Sequence, residues 1–185
     1  NAPGMAEHDW FMAVLFPHDQ LRIMPYNRLV RDLLGQTPEQ LLARAAERFV
    51  VEPVGERAYS PRQRHDIGMY LASRWYELTP RPGTFPEGHP TESLDVAILQ
   101  RNLLAPLLGI ADPRTDRRIH FVGGIHGPQK LEQLVDAGQH AVAFSMYPVS
   151  LDELMAIADV GEVMPPKSTW FEPKLRSGLL VHELG

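Results

Sequence analysis

Six apolar residues, Leu94, Ile98, Leu99, Leu103, Leu104 and Leu107, recur at spacings of three and four within 93–108. That spacing lines one face of an α-helix, because about 3.6 residues make a turn. Pro106 should kink or end the helix, and Gly109 suits the left-handed residue that often follows one. The flanking sequence reads differently, as short apolar runs between turn residues. A helix set among strands predicts an α+β fold.

Upstream, 8–16 (HDWFMAVLF) has no breaker and reads as a buried strand. Pro17-His18-Asp19 is turn chemistry, and 21–30 would return as the second strand of a hairpin, with Pro25 at its end or at an edge. Thr37-Pro38-Glu39-Gln40 is a capping box with proline at the first helical position, opening a helix to about Phe49. Strands follow at 49–54, 66–73 and 74–80, the last two around a tight turn. Arg81 to Pro90 is a proline- and glycine-rich loop. Downstream the pattern alternates. A strand at 118–124 precedes a helix at 128–137 stopped by Gly138, and a strand at 141–149 precedes a helix opened by the capping box Ser150–Glu153 and ended at Gly161. A final strand is expected at 178–184. The prediction is a single α+β domain over 3–185, with a mixed, partly antiparallel sheet of seven or eight strands and about four helices. Asn1-Ala2 reads as the remnant of a removed tag, and the abrupt start suggests an excised part of a larger protein.

Composition narrows the function. The chain has 185 residues and a net charge of −5, and it lacks cysteine. Disulfides, thiol catalysis and zinc–thiolate sites are excluded, and a reducing, cytoplasmic setting is expected. An acidic chain lacks the dense basic face that nucleic-acid binding needs. No apolar run approaches the roughly 20 residues that cross a bilayer.

The histidines offer little. Four precede a carboxylate (His8-Asp9, His18-Asp19, His65-Asp66, His182-Glu183), but neighbours on a strand point to opposite faces, and no metal site is expected. His120 and His126 flank Gly123-Gly124. There a strand ends, glycines follow and a helix begins, so backbone N–H groups could hold a phosphate. The stretch matches neither common phosphate-loop motif, which favours a plain tight turn. There is no Gly-x-Ser-x-Gly elbow. Asp112 to Arg117 reads as a solvated turn of alternating charges. The stretch 164–181 (MPPKSTWFEPKLRSGLLV) is more pointed. Lys167, Lys174 and Arg176 stand against Glu172, with the hydroxyls of Ser168 and Thr169 and two aromatic rings. Such a loop could hold a phosphate or carboxylate; equally, Trp170 and Phe171 could plug the core while the cations stay in water.

These residues, with 94–110 (LDVAILQRNLLAPLLGI) and 147–169 (YPVSLDELMAIADVGEVMPPKST), resemble the C-terminal half of a bacterial and archaeal family known only as domain of unknown function 1015. The resemblance runs from about Asp9 onward. The family's Ala-Asp-Gly-His-His-Arg stretch, similar to a motif of the ParB-like superfamily, is missing here. Some members of that superfamily phosphorylate free serine with a nucleotide. The resemblance therefore implies an auxiliary, phosphate-contacting domain of a serine-type small-molecule kinase, inactive alone. Its implied partners are an N-terminal domain of the same protein, a small-molecule ligand and, in the full-length protein, ATP or ADP with Mg²⁺. Under it, Lys167, Ser168, Thr169 and Lys174 would hold an anionic ligand; Arg176, Gly123 and Gly124 complete the expected ligand contacts from their own chemistry. The alternative is a non-catalytic interaction or ligand-sensing domain. Under either reading an apolar face left open would favour self-association.

Overall fold

The computed structural model describes residues 6–17, 20–55 and 57–183. Asn1-Ala2, the His18-Asp19 pair and the end of the expected last strand lie outside them. The chain divides into two compact units, Ile23–Trp170 and a terminal pair of segments, Asn1–Arg22 with Phe171–Gly185.

Residues 23–170 carry the α+β fold. Strands β2 (Tyr26–Val30), β3 (Phe49–Gly55), β4 (Ile67–Leu71), β5 (Arg74–Pro80), β6 (Ile119–Gly123) and β7 (Val142–Ser145) form one sheet in the order β3-β5-β4-β7-β2-β6. All of its pairings are antiparallel. The strand–helix–strand unit expected in the last third is present. Its two strands, β6 and β7, flank β2 instead of each other, so no parallel neighbours arise. Strands β1 (Arg22–Met24) and β8 (Trp170–Glu172) make a separate two-stranded sheet.

Local chemistry accounts for the boundaries. Pro25 has no N–H to give a ladder, and the expected strand 21–30 breaks there into β1 and β2, which join different sheets. The β4–β5 hairpin turns on Ala72 and Ser73, both left-handed at φ 50° and 60°, the geometry that matches strand twist in a two-residue loop. Helix α1 (Pro38–Ala45) is capped reciprocally by Thr37 and Gln40, and α5 (Leu151–Asp159) by Ser150 and Glu153. The long middle helix is α2 (Asp95–Leu99), a π-helical turn (Gln100–Leu104) and α3 (Ala105–Leu108) in succession. The wide turn directly precedes Pro106, whose missing N–H interrupts the regular ladder, and Gly109 ends the helix at φ 65°. With α4 (Gln129–Asp136), this makes four helices among the described residues.

Both faces of the sheet are covered. One carries Val30, Ile67, Met69, Leu78, Val142 and Phe144 under α1, α2–α3 and α5. The other carries Leu29, Tyr70, Trp75 and Ala143 under Leu131 of α4. Two polar ties anchor α4: Trp75 Nε1 donates to Glu132 at 2.7 Å and the Tyr70 hydroxyl to Asp136 at 2.9 Å.

Two expected strands are corrected. Residues 8–16 are not a buried strand. A 3₁₀ turn at Glu7–Asp9 leads into a stretch without regular secondary structure, with Phe11 87% and Leu15 93% exposed. Nor does 178–183 form a strand, and Leu179, Leu180 and Val181 are exposed. Apolar content marks a segment that could be buried. A strand also needs a neighbour to take its hydrogen bonds, and neither run has one among the described residues.

Candidate functional site

Strand β2 is covered on both sides, and Asn27 through Val30 are all buried. Arg28 thus occupies a position suited to valine. It is 4% exposed, its cross-strand neighbours are Phe121 and Phe144, and its guanidinium lies 5.6 Å from the Phe121 ring centroid. Nη1 donates to the Tyr26 carbonyl at 2.5 Å and Nη2 to the Lys167 carbonyl at 3.1 Å. No carboxylate among the described residues pairs with it. Burial lowers its pKa to about 10, which leaves it charged at neutral pH. A buried cation without a counter-ion is costly, and an anion is what relieves that cost.

Arg28 opens onto a cavity of about 550 Å³. One wall is the middle helix at Val96, Ala97, Gln100, Arg101 and Ala105; another is the turn Ala111–Arg114; a third is Pro165-Pro166. Gln100 is fixed by its bond to the Ile110 carbonyl at 2.6 Å. Arg101 and Arg114 also line it, but each has a partner: Arg101 meets Glu92 at 2.6 Å, and Arg114 meets both oxygens of Asp112 at 3.0 Å. Arg28 is the cavity's uncompensated charge. The lining holds no imidazole, hydroxyl or thiol, and its one carboxylate, Asp112, is tied to Arg114, which leaves a wall suited to holding an anion.

The residues singled out from the sequence fall differently. Lys167 is left-handed at φ 55°, its ammonium sits 5.4 Å from the Tyr26 ring centroid, and its carbonyl holds Arg28. Ser168 is buried and donates to the Pro165 carbonyl at 2.6 Å, closing the turn. Thr169 is half-buried beside it. None of the three lines the cavity; the preceding prolines do. Lys174 and Arg176 belong to the terminal unit, where Arg176 is exposed. Gly123 is glycine for a packing reason, since an added Cβ would meet the Trp170 ring at 2.5 Å. Gly124 is pressed against Pro25 and gives its N–H to the Pro25 carbonyl at 2.7 Å. Trp170 is half-buried, edge-on to Tyr26 at 5.2 Å.

Two buried polar clusters lie off this cavity. The Tyr59 hydroxyl is 2.7 Å from both Asp66 and Glu77. A phenol has one proton to share between the two carboxyl groups; burial pushes Asp66 upward, while the hydrogen bonds from Arg62 and Tyr59 pull it back. His140 Nε2 lies 2.7 Å from His120 Nδ1, and burial together with its neighbour His120 holds His140 below the usual histidine range. The pair His65-Asp66 diverges: the His65 N–H donates to Asp95 while Asp66 turns to Tyr59. Among the described residues no three His, Asp or Glu side chains converge on a metal position, and no helix is long and apolar enough to cross a membrane.

A family model described as "Protein of unknown function (DUF1015)" matches residues 1–97. Those residues include β2 and Arg28 but precede most of the stretches that carry the resemblance seen in the sequence. No curated protein matches the chain. Among solved structures, two mutants of a free serine kinase, each in complex with AMP, are similar at TM-score 0.50 and 14% identity, covering 83% of this chain and 55% of theirs. A conserved hypothetical protein from Pyrococcus furiosus is similar at TM-score 0.49 and 14% identity, covering 83% and 56%. At that identity the likeness is one of fold. The chain spans about 55% of the length of these structures.

Proposed function

The chain belongs to the DUF1015 family of proteins of unknown function, and on that premise we propose that its cavity binds the phosphate of a small nucleotide. The observation that carries this reading is Arg28, a buried guanidinium with no carboxylate partner on the wall of a 550 Å³ cavity. A phosphate would supply the missing negative charge and accept from the planar guanidinium. The loop 165–168 takes part through its backbone, because the Lys167 carbonyl orients Arg28. The fold likeness to nucleotide-bound kinase structures supports the choice of ligand.

The wider role is a phosphate-contacting part of a serine-type small-molecule kinase. Phosphoryl transfer rests on positioning and charge neutralisation, which such a wall provides. The acid–base chemistry then comes from residues outside this cavity, and Mg²⁺ arrives with the nucleotide phosphates. An anion-holding wall of this kind also suits a ligand-sensing domain. Phosphate transfer to serine by the full protein separates the two.

The test is a thermal-shift titration with AMP, ADP and ATP, with and without Mg²⁺. A ligand at 100 times its Kd stabilises by ~2.7 kcal/mol, or roughly 5–10 °C for a chain of this size. Arg28→Lys keeps the charge but loses the planar fork, and should weaken binding at least about tenfold. Unchanged affinity in that variant would remove Arg28 from the site.

A further inference from the structure

On the other side of the middle helix lies a second cavity, of about 360 Å³, and we propose that it is a separate site for a small phosphate-bearing ligand. It is lined by Arg44 at the end of α1, Arg48 beyond it, Arg101 and Asn102 of the π-helical turn, Thr84 and Glu47. Three arginines thus face one glutamate on a chain whose net charge is −5.

The arginines differ in what already holds them. Arg44 is fixed by two neutral acceptors, Gln36 Oε1 at 2.6 Å and the Pro106 carbonyl at 3.3 Å, which orient it without cancelling its charge. Arg48 makes no side-chain hydrogen bond or ion pair among the described residues. Arg101 is shared with Glu92. Asn102 is buried and tied through Nδ2 to the Thr84 carbonyl at 3.2 Å, which makes a rigid polar floor. Two guanidiniums free of carboxylate, one of them pre-oriented, over a fixed amide floor suit a phosphate dianion. Arg101 lines both cavities. Its guanidinium is already paired with Glu92, so Arg28 carries the first site and Arg44 with Arg48 the second.

The test is an NMR titration of the ¹⁵N-labelled chain, following the arginine Nε–Hε signals, with inorganic phosphate and with phenyl phosphate. Arg44 and Arg48 signals should move together and saturate. Saturation by both probes, or by phenyl phosphate alone, supports the site and separates free phosphate from phosphomonoesters. Arg48→Gln, at an exposed position without partners in the fold, should weaken that binding at least about tenfold. Arg28→Lys should leave it intact, so the two cavities can fail independently. Still signals at Arg44 and Arg48, or an Arg48→Gln titration matching the parent, would overturn the proposal.

Discussion

Asp95→Asn is expected to leave stability unchanged at pH 4 and to raise it at pH 8. Asp95 opens α2 and is buried. Burial pushes its pKa up to about 7; the His65 N–H and Arg64 pull it back, while Glu153 and Asp66 push it further. In the unfolded chain the carboxyl ionises near the ordinary ~3.9. Between these values the folded state holds a proton that the unfolded state has released, so stability falls as pH rises through the window from about 4 to about 7. A difference of that size amounts to at most about 4 kcal/mol. Asparagine keeps the acceptor for the His65 N–H at 3.0 Å and removes the charge. The variant should therefore gain roughly 2–4 kcal/mol above pH 7, some 5–15 °C in Tm at ~2–4 °C per kcal/mol. Urea unfolding of both proteins from pH 4 to 8 isolates this group, since every other titration is common to the two. A difference curve flat across that range would mean Asp95 ionises normally in the fold.

Much of the fold was legible because it rests on local rules. Both capping boxes, the period of 93–108, the Gly109 cap and the tight turn between the strands expected at 66–73 and 74–80 are satisfied within a few residues of chain, the turn falling at Ala72-Ser73. Sheet membership is not local. The runs at 8–16 and 178–184 have strand composition, yet nothing in them tells whether a partner edge exists to receive their hydrogen bonds. The insertion of β2 between β6 and β7 is likewise a choice among non-adjacent segments.

The site was less legible for the same reason. Lys167, Ser168 and Lys174 drew notice because they cluster in sequence, but Ser168 closes a turn and Lys167 contributes a carbonyl. Arg28 is one cation within the expected strand 21–30, and no motif in its sequence neighbourhood marks it. Its meaning comes from Phe121 and Phe144 on neighbouring strands, which make its position a buried one. The available signal was a charge next to Leu29 and Val30 within a run expected as a strand. Asp112 to Arg117 reads as a solvated turn of alternating charges, and the Asp112–Arg114 pair fits that reading, while Asp112 to Arg114 also wall the cavity.

Gly68→Ala should be the most damaging small substitution in the sheet. Gly68 lies in β4 directly across from Ser145 of β7. A Cβ there would come within 2.2 Å of Ser145 Oγ, 2.8 Å of the Tyr59 ring and 3.2 Å of the Trp75 ring. None of these neighbours can yield freely. Ser145 Oγ is bound to the Tyr59 carbonyl at 3.0 Å, the Tyr59 hydroxyl is held between Asp66 and Glu77, and Trp75 is fully buried and bonded to Glu132. Overpacking of a core costs typically ~1–3 kcal/mol, and a collision in which every neighbour is tethered belongs at or above the top of that range. Ser145→Ala removes the nearest atom and loses one hydrogen bond, about 1 kcal/mol by itself. Combined with Gly68→Ala it should recover part of the loss, so the two changes together cost less than their sum. Denaturant unfolding of the two single variants and the double variant measures this directly. A Gly68→Ala cost under about 1 kcal/mol, or strict additivity with Ser145→Ala, would show that the sheet opens at this point and that the Tyr59 network does not depend on the empty space glycine leaves.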